Sequence, residues 1–273
     1  MIRDITIGQY YPADSIIHKL DPRVKLAGTL LFIISLFLFS TFLGYVIAGA
    51  FLCLVVWLSK VPPKFILRGL KAIFILLIFT VVFNLFLTPG ETMICFTSRI
   101  QITYEGFRTA MFMAIRLLFL IIGSSLMTLT TTPNQLTDGL EKSLAPLKKI
   151  HVPVHEIAMM MSIALRFIPI LLEETDKIMK AQSARGADFD SGNIIQKAKA
   201  LVPILVPLFV SAFRRANDLA LAMEARCYHG GDGRTKMKPL HYERRDKLAY
   251  LFMLLYLVVL IVVNLFAKKF IGW

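Results

Sequence analysis

Between Lys25 and Lys60 the chain runs for 34 residues without one charged side chain. A helix rises ~1.5 Å per residue, so that run as a single helix would be about 50 Å long, against a bilayer core of ~30 Å. It is too long for one crossing, and it breaks naturally at Ser40-Thr41-Phe42-Leu43-Gly44 into two short helices in a tight hairpin. Three more apolar runs follow. Residues 72–90 end in the turn signal Thr88-Pro89-Gly90, residues 117–137 are entered from Tyr104-Glu105-Gly106, and residues 248–267 come last. The expectation is an all-α integral membrane protein with about five transmembrane helices. Composition agrees: hydrophobic residues make up 56% and charged residues 18%, against roughly 45–50% and about 25% in soluble domains. The three cysteines, Cys53, Cys95 and Cys227, are scattered and fit neither a disulfide scaffold nor a thiolate metal site.

Orientation follows from the basic residues. Residues 59–71 hold Lys60, Lys64, Arg68 and Lys71 with no acid, whereas residues 89–105 hold only Arg99 against Glu91 and Glu105. Residues 131–247 hold 18 Lys+Arg and 13 Asp+Glu. Basic loops stay on the cytoplasmic side. The N-terminus and residues 131–247 are therefore expected inside, and the C-terminus outside. The domains read as 1–130, a membrane part with four helices; 131–247, a cytoplasmic part; and 248–273, a last transmembrane helix. The net charge of +13 thus has a topological cause. With acids interleaved among the bases, no nucleic-acid partner is expected. Arg108 and Arg116 lie eight residues apart on one face of the fourth helix. Arg108 suits the outer interface. Arg116 sits about two turns deeper, where it either bonds another helix or has a functional role.

The cytoplasmic part reads as three helices. The first opens at Thr132-Pro133-Asn134, with a capping residue and an early proline, and stops near Pro146. The second runs from Pro153 to about Arg185, and the third from about Asn193 to Arg226. Each has an apolar first half and a polar second half. The apolar stretches are about 16 and 14 residues, and they contain Arg166 and Pro169, or Pro203 and Pro207. On that length, those arginine and proline residues and the unbroken run into a charged half, both long helices are expected to lie at or below the membrane surface rather than to cross it. Glu173, Glu174 and Asp176 read as a solvated face partnered by Lys177 and Lys180.

The two long helices end alike. Ala181-Gln182-Ser183-Ala184-Arg185-Gly186 matches Ala222-Met223-Glu224-Ala225-Arg226-Cys227 at a constant offset of 41 residues. Alanines three apart thin one face so that another helix can approach closely. Each arginine sits at the negative end of a helix dipole, projecting a planar cation into the cytoplasm. Arginine in a last turn before glycine is also an ordinary helix ending. Two endings with one alanine spacing favour a pair of equivalent prongs that dock into acidic grooves of a cytoplasmic dimer.

These residues resemble the energy-coupling factor (ECF) transporter family, in its transmembrane T component, the EcfT/CbiQ-like family. The similarity covers the whole chain. Ser15-Ile16-Ile17-His18-Lys19-Leu20-Asp21-Pro22-Arg23-Val24-Lys25-Leu26 resembles the family's opening motif. Ala164-Leu165-Arg166-Phe167-Ile168-Pro169 and Pro207-Leu208-Phe209-Val210-Ser211-Ala212-Phe213-Arg214-Arg215-Ala216 are similar to its coupling helices. The paired Ala-Arg-Gly marks are Ala184-Arg185-Gly186 and Ala225-Arg226-Cys227; the second departs at Cys227, which touches only the glycine's backbone role.

The resemblance implies a coupling subunit that joins two ABC-type ATPase subunits to an integral-membrane substrate-binding S component in the bacterial cell membrane. Arg185 and Arg226 would enter grooves on the ATPases. Apolar surface on the coupling helices, here Met160, Met161, Leu165, Pro169, Pro203 and Pro207, would contact the S component. Vitamin uptake is the favoured cargo; a scaffold dedicated to cobalt or nickel is the alternative.

The chain carries no Gly-x-x-x-x-Gly-Lys-Ser/Thr loop, and Gly230-Gly231-Asp232-Gly233-Arg234-Thr235-Lys236 has the wrong spacing. ATP and Mg are therefore expected on the partners. No nucleophile–base pair is legible, so no catalytic residue and no cofactor of the chain's own are expected. His151 and His155 are four apart, but Pro153 lies between them and only Glu156 is a nearby acid, which argues against a metal site. A stand-alone membrane carrier or enzyme using Arg116 is the rival reading from another class.

Overall fold

The computed structural model describes residues 10–39, 41–87, 92–97, 100–187, 189, 193–230, 237 and 239–271. Among these residues the chain is helical apart from one short hairpin. Helix α1 spans Pro22–Leu38, α2 Phe42–Ser59, α3 Pro63–Leu87 and α4 Tyr104–Thr130. They are followed by α5 (Pro133–Ser143), a 3₁₀ turn (Ala145–Ile150), α6 (Val154–Ala184), α7 (Ile194–Glu224) and α8 (Arg244–Ile271). Strands β1 (Thr92–Thr97) and β2 (Ile100–Thr103) pair antiparallel between α3 and α4, with Ile94 opposite Ile102. The sequence reading did not anticipate this hairpin, although both strands are rich in threonine and isoleucine, which suit a pleated backbone.

Local chemistry sets the helix ends. Asp21 caps α1 by accepting the Arg23 N–H at 2.9 Å, and Pro22 supplies a preset φ at the first position. The long uncharged run parts where expected: α1 ends at Leu38, Phe39 and Thr41 are extended, and α2 starts at Phe42. Thr103 accepts the Gly106 N–H and so caps α4. Before α5, Thr132 and Gln135 exchange bonds in a capping box, Gln135 N–H to Thr132 Oγ1 at 3.3 Å and Thr132 N–H to Gln135 Oε1 at 3.2 Å. Helix α3 starts at Pro63, earlier than its apolar run, and bends by 61° between Pro63–Lys71 and Ile73–Phe86. The Thr88-Pro89-Gly90 turn, Ser40 and residues 231–236 lie outside the described residues.

The chain divides into two compact units, Glu141–Pro239 and the pair of segments Gly8–Leu140 with Leu240–Trp273. Helix α5, read from sequence as part of the cytoplasmic segment, falls almost wholly in the second unit.

The core of that second unit joins α1, α2, α4 and α8. Phe32 and Leu36 meet Tyr45, Ala48 and Leu52, with Tyr256 and Leu260 closing the group and Phe112, Ile115 and Phe119 packed against it. Tyr256 stacks on Phe51 with ring centroids 4.2 Å apart, and its hydroxyl shares a 2.9 Å hydrogen bond with Ser35 Oγ. A Cβ on Gly123 would stand 3.0 Å from the Phe32 ring, so α1 and α4 meet tightly here and a larger residue would require the ring to give by a few tenths of an ångström. The outward faces stay apolar, with Trp57 and Ile75 exposed, as expected where the surroundings are lipid.

Helices α2, α4, α6, α7 and α8 are each long and apolar enough to cross a bilayer, and the two arms of α3 qualify together. The sequence reading had expected α1, α2, α3, α4 and α8. It set α6 and α7 aside as surface helices on their short apolar stretches, their arginine and prolines and their unbroken run into a charged half; by length and composition alone both also pass as long enough to cross. Each is a continuous helix of 31 residues with an 18-residue window of mean hydropathy 1.6 or 1.3. The internal prolines Pro169, Pro203 and Pro207 do not stop them.

Candidate coupling site

The two helix endings are built alike, bond for bond. At the end of α6 the Ala187 N–H donates to the Gln182 carbonyl at 3.0 Å, and the Gly186 N–H to the Ser183 carbonyl at 3.0 Å. At the end of α7 the Tyr228 N–H donates to Met223 at 3.1 Å, and the Cys227 N–H to Glu224 at 2.8 Å. Both are the six-to-one and five-to-two bonds of a Schellman ending. Gly186 takes φ +90° and Cys227 takes φ +53°. Cys227 therefore fills the left-handed position that glycine fills in the other copy, and the departure from glycine leaves the backbone role intact.

This ending places each arginine where its helix stops. Arg185 and Arg226 each precede the left-handed residue, the position where the helix stops, and both are exposed along with Ala184, Gly186, Ala225 and Cys227. Neither guanidinium has an ion pair or hydrogen bond to the described residues. Each is a solvated cation beside the unpaired carbonyls of a helix C-terminus.

Helices α6 and α7 run antiparallel. Ile163 and Phe167 line a groove with Leu219, and Met223 joins it one turn on. Farther along α6, Glu174 accepts hydrogen bonds from Ser211 Oγ and, at 2.8 Å, from Arg215. Farther still, the Gln182 amide donates to the Pro203 carbonyl at 3.4 Å. That carbonyl is available because Pro207, one turn later, has no N–H to offer it. The register sets the two arginines at opposite ends of the pair, roughly 40 Å apart along it at ~1.5 Å per residue.

The Glu174 contacts correct the sequence reading. This acid was assigned to a solvated face with Lys177 and Lys180. It instead faces the neighbouring rod, with its side chain 22% exposed. Ser211 and Arg215 were missed as its partners, and the one legible sign was their spacing of four on α7, which puts both on one helix face.

The other candidates fall in several places. Met160, Met161, Pro169, Pro203 and Pro207 are exposed and Leu165 is half-buried. They join a broad apolar surface that sequence reasoning underestimated, with Leu205, Val206, Phe209 and Phe213 also exposed on α7. Arg116 donates to the Phe39 carbonyl at 3.4 Å, and its guanidinium lies over the Phe37 ring at 5.3 Å. It thereby answers a carbonyl at the end of α1, the interhelical bond that was one of its two readings. His155 pairs with Glu141 at 3.0 Å, while His151 sits in a left-handed turn after the 3₁₀ segment.

The fold defines a multi-pass α-helical membrane protein. The chain belongs to the EcfT/CbiQ family of energy-coupling factor transporter transmembrane components. The family model described as a cobalt transport protein, CbiQ, matches residues 13–237. Among similar proteins, the energy-coupling factor transporter transmembrane protein EcfT of Clostridium kluyveri is 58% identical over 270 residues, covering 98% of this chain and 100% of the relative. EcfT of Ruminiclostridium cellulolyticum is 58% identical over 248 residues, 91% of this chain and 92% of its own. EcfT of Lactococcus lactis is 46% identical over 260 residues, covering 95% and 98%.

Proposed function

We propose that this chain is the coupling subunit of an ATP-driven importer and joins two ABC-type ATPase subunits to an integral-membrane S component. The observation that carries the reading is the pair of matched endings: one backbone motif, twice, each presenting an arginine, at opposite ends of an antiparallel pair. One cation per ATPase, held apart by stiff rods, suits a two-fold motor. The arginines pair with acidic grooves on the ATPases, and bidentate geometry favours arginine there over lysine. ATP and Mg stay with the ATPases. Movement of the grooves shifts α6 and α7, and their exposed apolar surface, including Met160, Met161, Pro169, Pro203 and Pro207, carries the S component with it.

In this reading the N-terminus and the unit Glu141–Pro239 face the cytoplasm, the C-terminus lies outside, and the cargo is a vitamin. The description of the family model favours a second reading, a scaffold dedicated to cobalt or nickel. The full-length relatives carry the general EcfT name instead. A tagged copy purified in mild detergent tests the proposal. Two ATPases and a small membrane protein are expected to co-purify, with uptake depending on ATP. Substrate flux through the isolated chain, without ATPases, would overturn it in favour of a carrier.

A further inference from the structure

The unit Glu141–Pro239 is joined to the rest of the chain at two points, after Leu140 and before Leu240. Both points rest on the same short step at the start of α1. On the outgoing side, Gly139 of α5 lies against Pro22, so close that a Cβ there would stand 2.9 Å from the Pro22 Cβ and 3.3 Å from its carbonyl carbon. On the returning side, Arg23 donates to the Leu240 carbonyl at 3.3 Å, and its guanidinium lies 3.9 Å above the Tyr242 ring.

The step itself is braced by buried charge. Asp21 holds Arg23 through two side-chain bonds, at 3.0 and 2.8 Å. Asp246, 2% exposed, accepts the Asp21 N–H at 2.9 Å and the Glu243 N–H at 2.8 Å, which ties the start of α8 to the start of α1. Lys25, 6% exposed, donates to the Thr130 carbonyl at 2.8 Å and to the His18 carbonyl at 3.0 Å, which ties in the end of α4. A buried ion pair of this kind adds little net stability over an apolar pair, but removing one partner is strongly destabilising because it leaves the other charge buried and uncompensated.

We propose that Asp21, Arg23, Lys25 and Asp246 are positioning residues that clamp both connections of the coupling rods to one mount, so that force on the rods reaches the membrane helices without slack. The inference rests on the coupling function proposed above. It also accounts for why residues from Pro22 to Lys25 contact three chain segments more than a hundred positions away. Without the clamp, each connection would yield separately, and the rods would move while the membrane helices stayed still.

The test uses Asp246→Asn and, as a gentler variant, Arg23→Lys. Asparagine has a single acceptor oxygen where Asp246 uses two, and lysine cannot make the paired bonds to Asp21. Hydrogen exchange on the chain in detergent is expected to speed at least tenfold in residues 134–142 and 240–248, with no change around Leu36, Ala48 and Leu260. In the reconstituted complex, ATP hydrolysis and retention of the ATPases are expected to persist while uptake per ATP falls several-fold. Unchanged exchange overturns the clamp. So does faster exchange with uptake per ATP at the wild-type level, and so does loss of the ATPases in Arg23→Lys, which marks a folding role. A wild-type complex without ATP-driven uptake would sink the coupling reading instead, and the exchange result would still decide the clamp.

Discussion

Gly186 and Cys227 hold the same backbone position in two copies of one helix ending, at φ +90° and +53°. A left-handed residue with a Cβ costs about 1 kcal/mol more than glycine. Cys227→Gly is therefore expected to steady the end of α7 by about that much, slowing hydrogen exchange near residue 225 roughly fivefold. Gly186→Ala should loosen the end of α6 to a similar degree. Equal exchange in all three proteins would show that the ending does not set the position of either arginine.

Reversing both charges, Arg185→Glu with Arg226→Glu, sets like charge against the acidic grooves proposed on the ATPases. The double variant is expected to lose the ATPases on purification, while either single Arg→Ala keeps a measurable fraction. A doubly reversed variant that retains both ATPases and transports normally would rule out the prongs.

Glu174 bonds both Ser211 and Arg215 across the rods. Both side chains of the ion pair are partly exposed, 22% for Glu174 and 39% for Arg215, so the pair contributes only about 1 kcal/mol. Glu174→Gln should lower the unfolding temperature slightly and broaden the separation between spin labels beside Arg185 and Arg226. The exchange Glu174→Arg with Arg215→Glu should restore part of the distance distribution, and a double-mutant cycle without interaction energy would dismiss the contact.

Burial pushes the Asp21 carboxyl upward, but the hydrogen bonds and charge of Arg23 outweigh it, and the group ends below its ordinary 3.8. A carboxylate lowered by folding contributes stability above that ordinary value and loses it as pH falls through the folded one. Thermal stability in detergent should hold from neutrality down to about pH 4, then drop. Asp21→Asn should be less stable near neutrality, and part of that deficit should vanish in acid. A constant deficit at every pH would contradict this account.

Much of the site is local and was legible. The hairpin break near Ser40, the capping at Thr132 and the repeated Ala-Arg endings each depend on neighbours a few residues apart. The long helices were legible too, because each is one unbroken helical stretch that runs to its like ending. A proline inside a helix looks like a stop in a sequence, whereas here a side chain on the next rod satisfies the carbonyl left free by Pro207. Glu174 was misassigned for the same reason: Lys177 and Lys180 are its neighbours in sequence, and Arg215 is its neighbour in space.

Hydropathy and helix ends belong to short stretches of chain, so the amino-acid order alone settled that this is a helical membrane protein with two like-ended rods. Where the rods meet, which way they run, and how Pro22 and Arg23 receive both connecting strands depend on contacts between distant residues. No nearby residue signals such contacts, because burial and charge pairing exist only after the helices have packed.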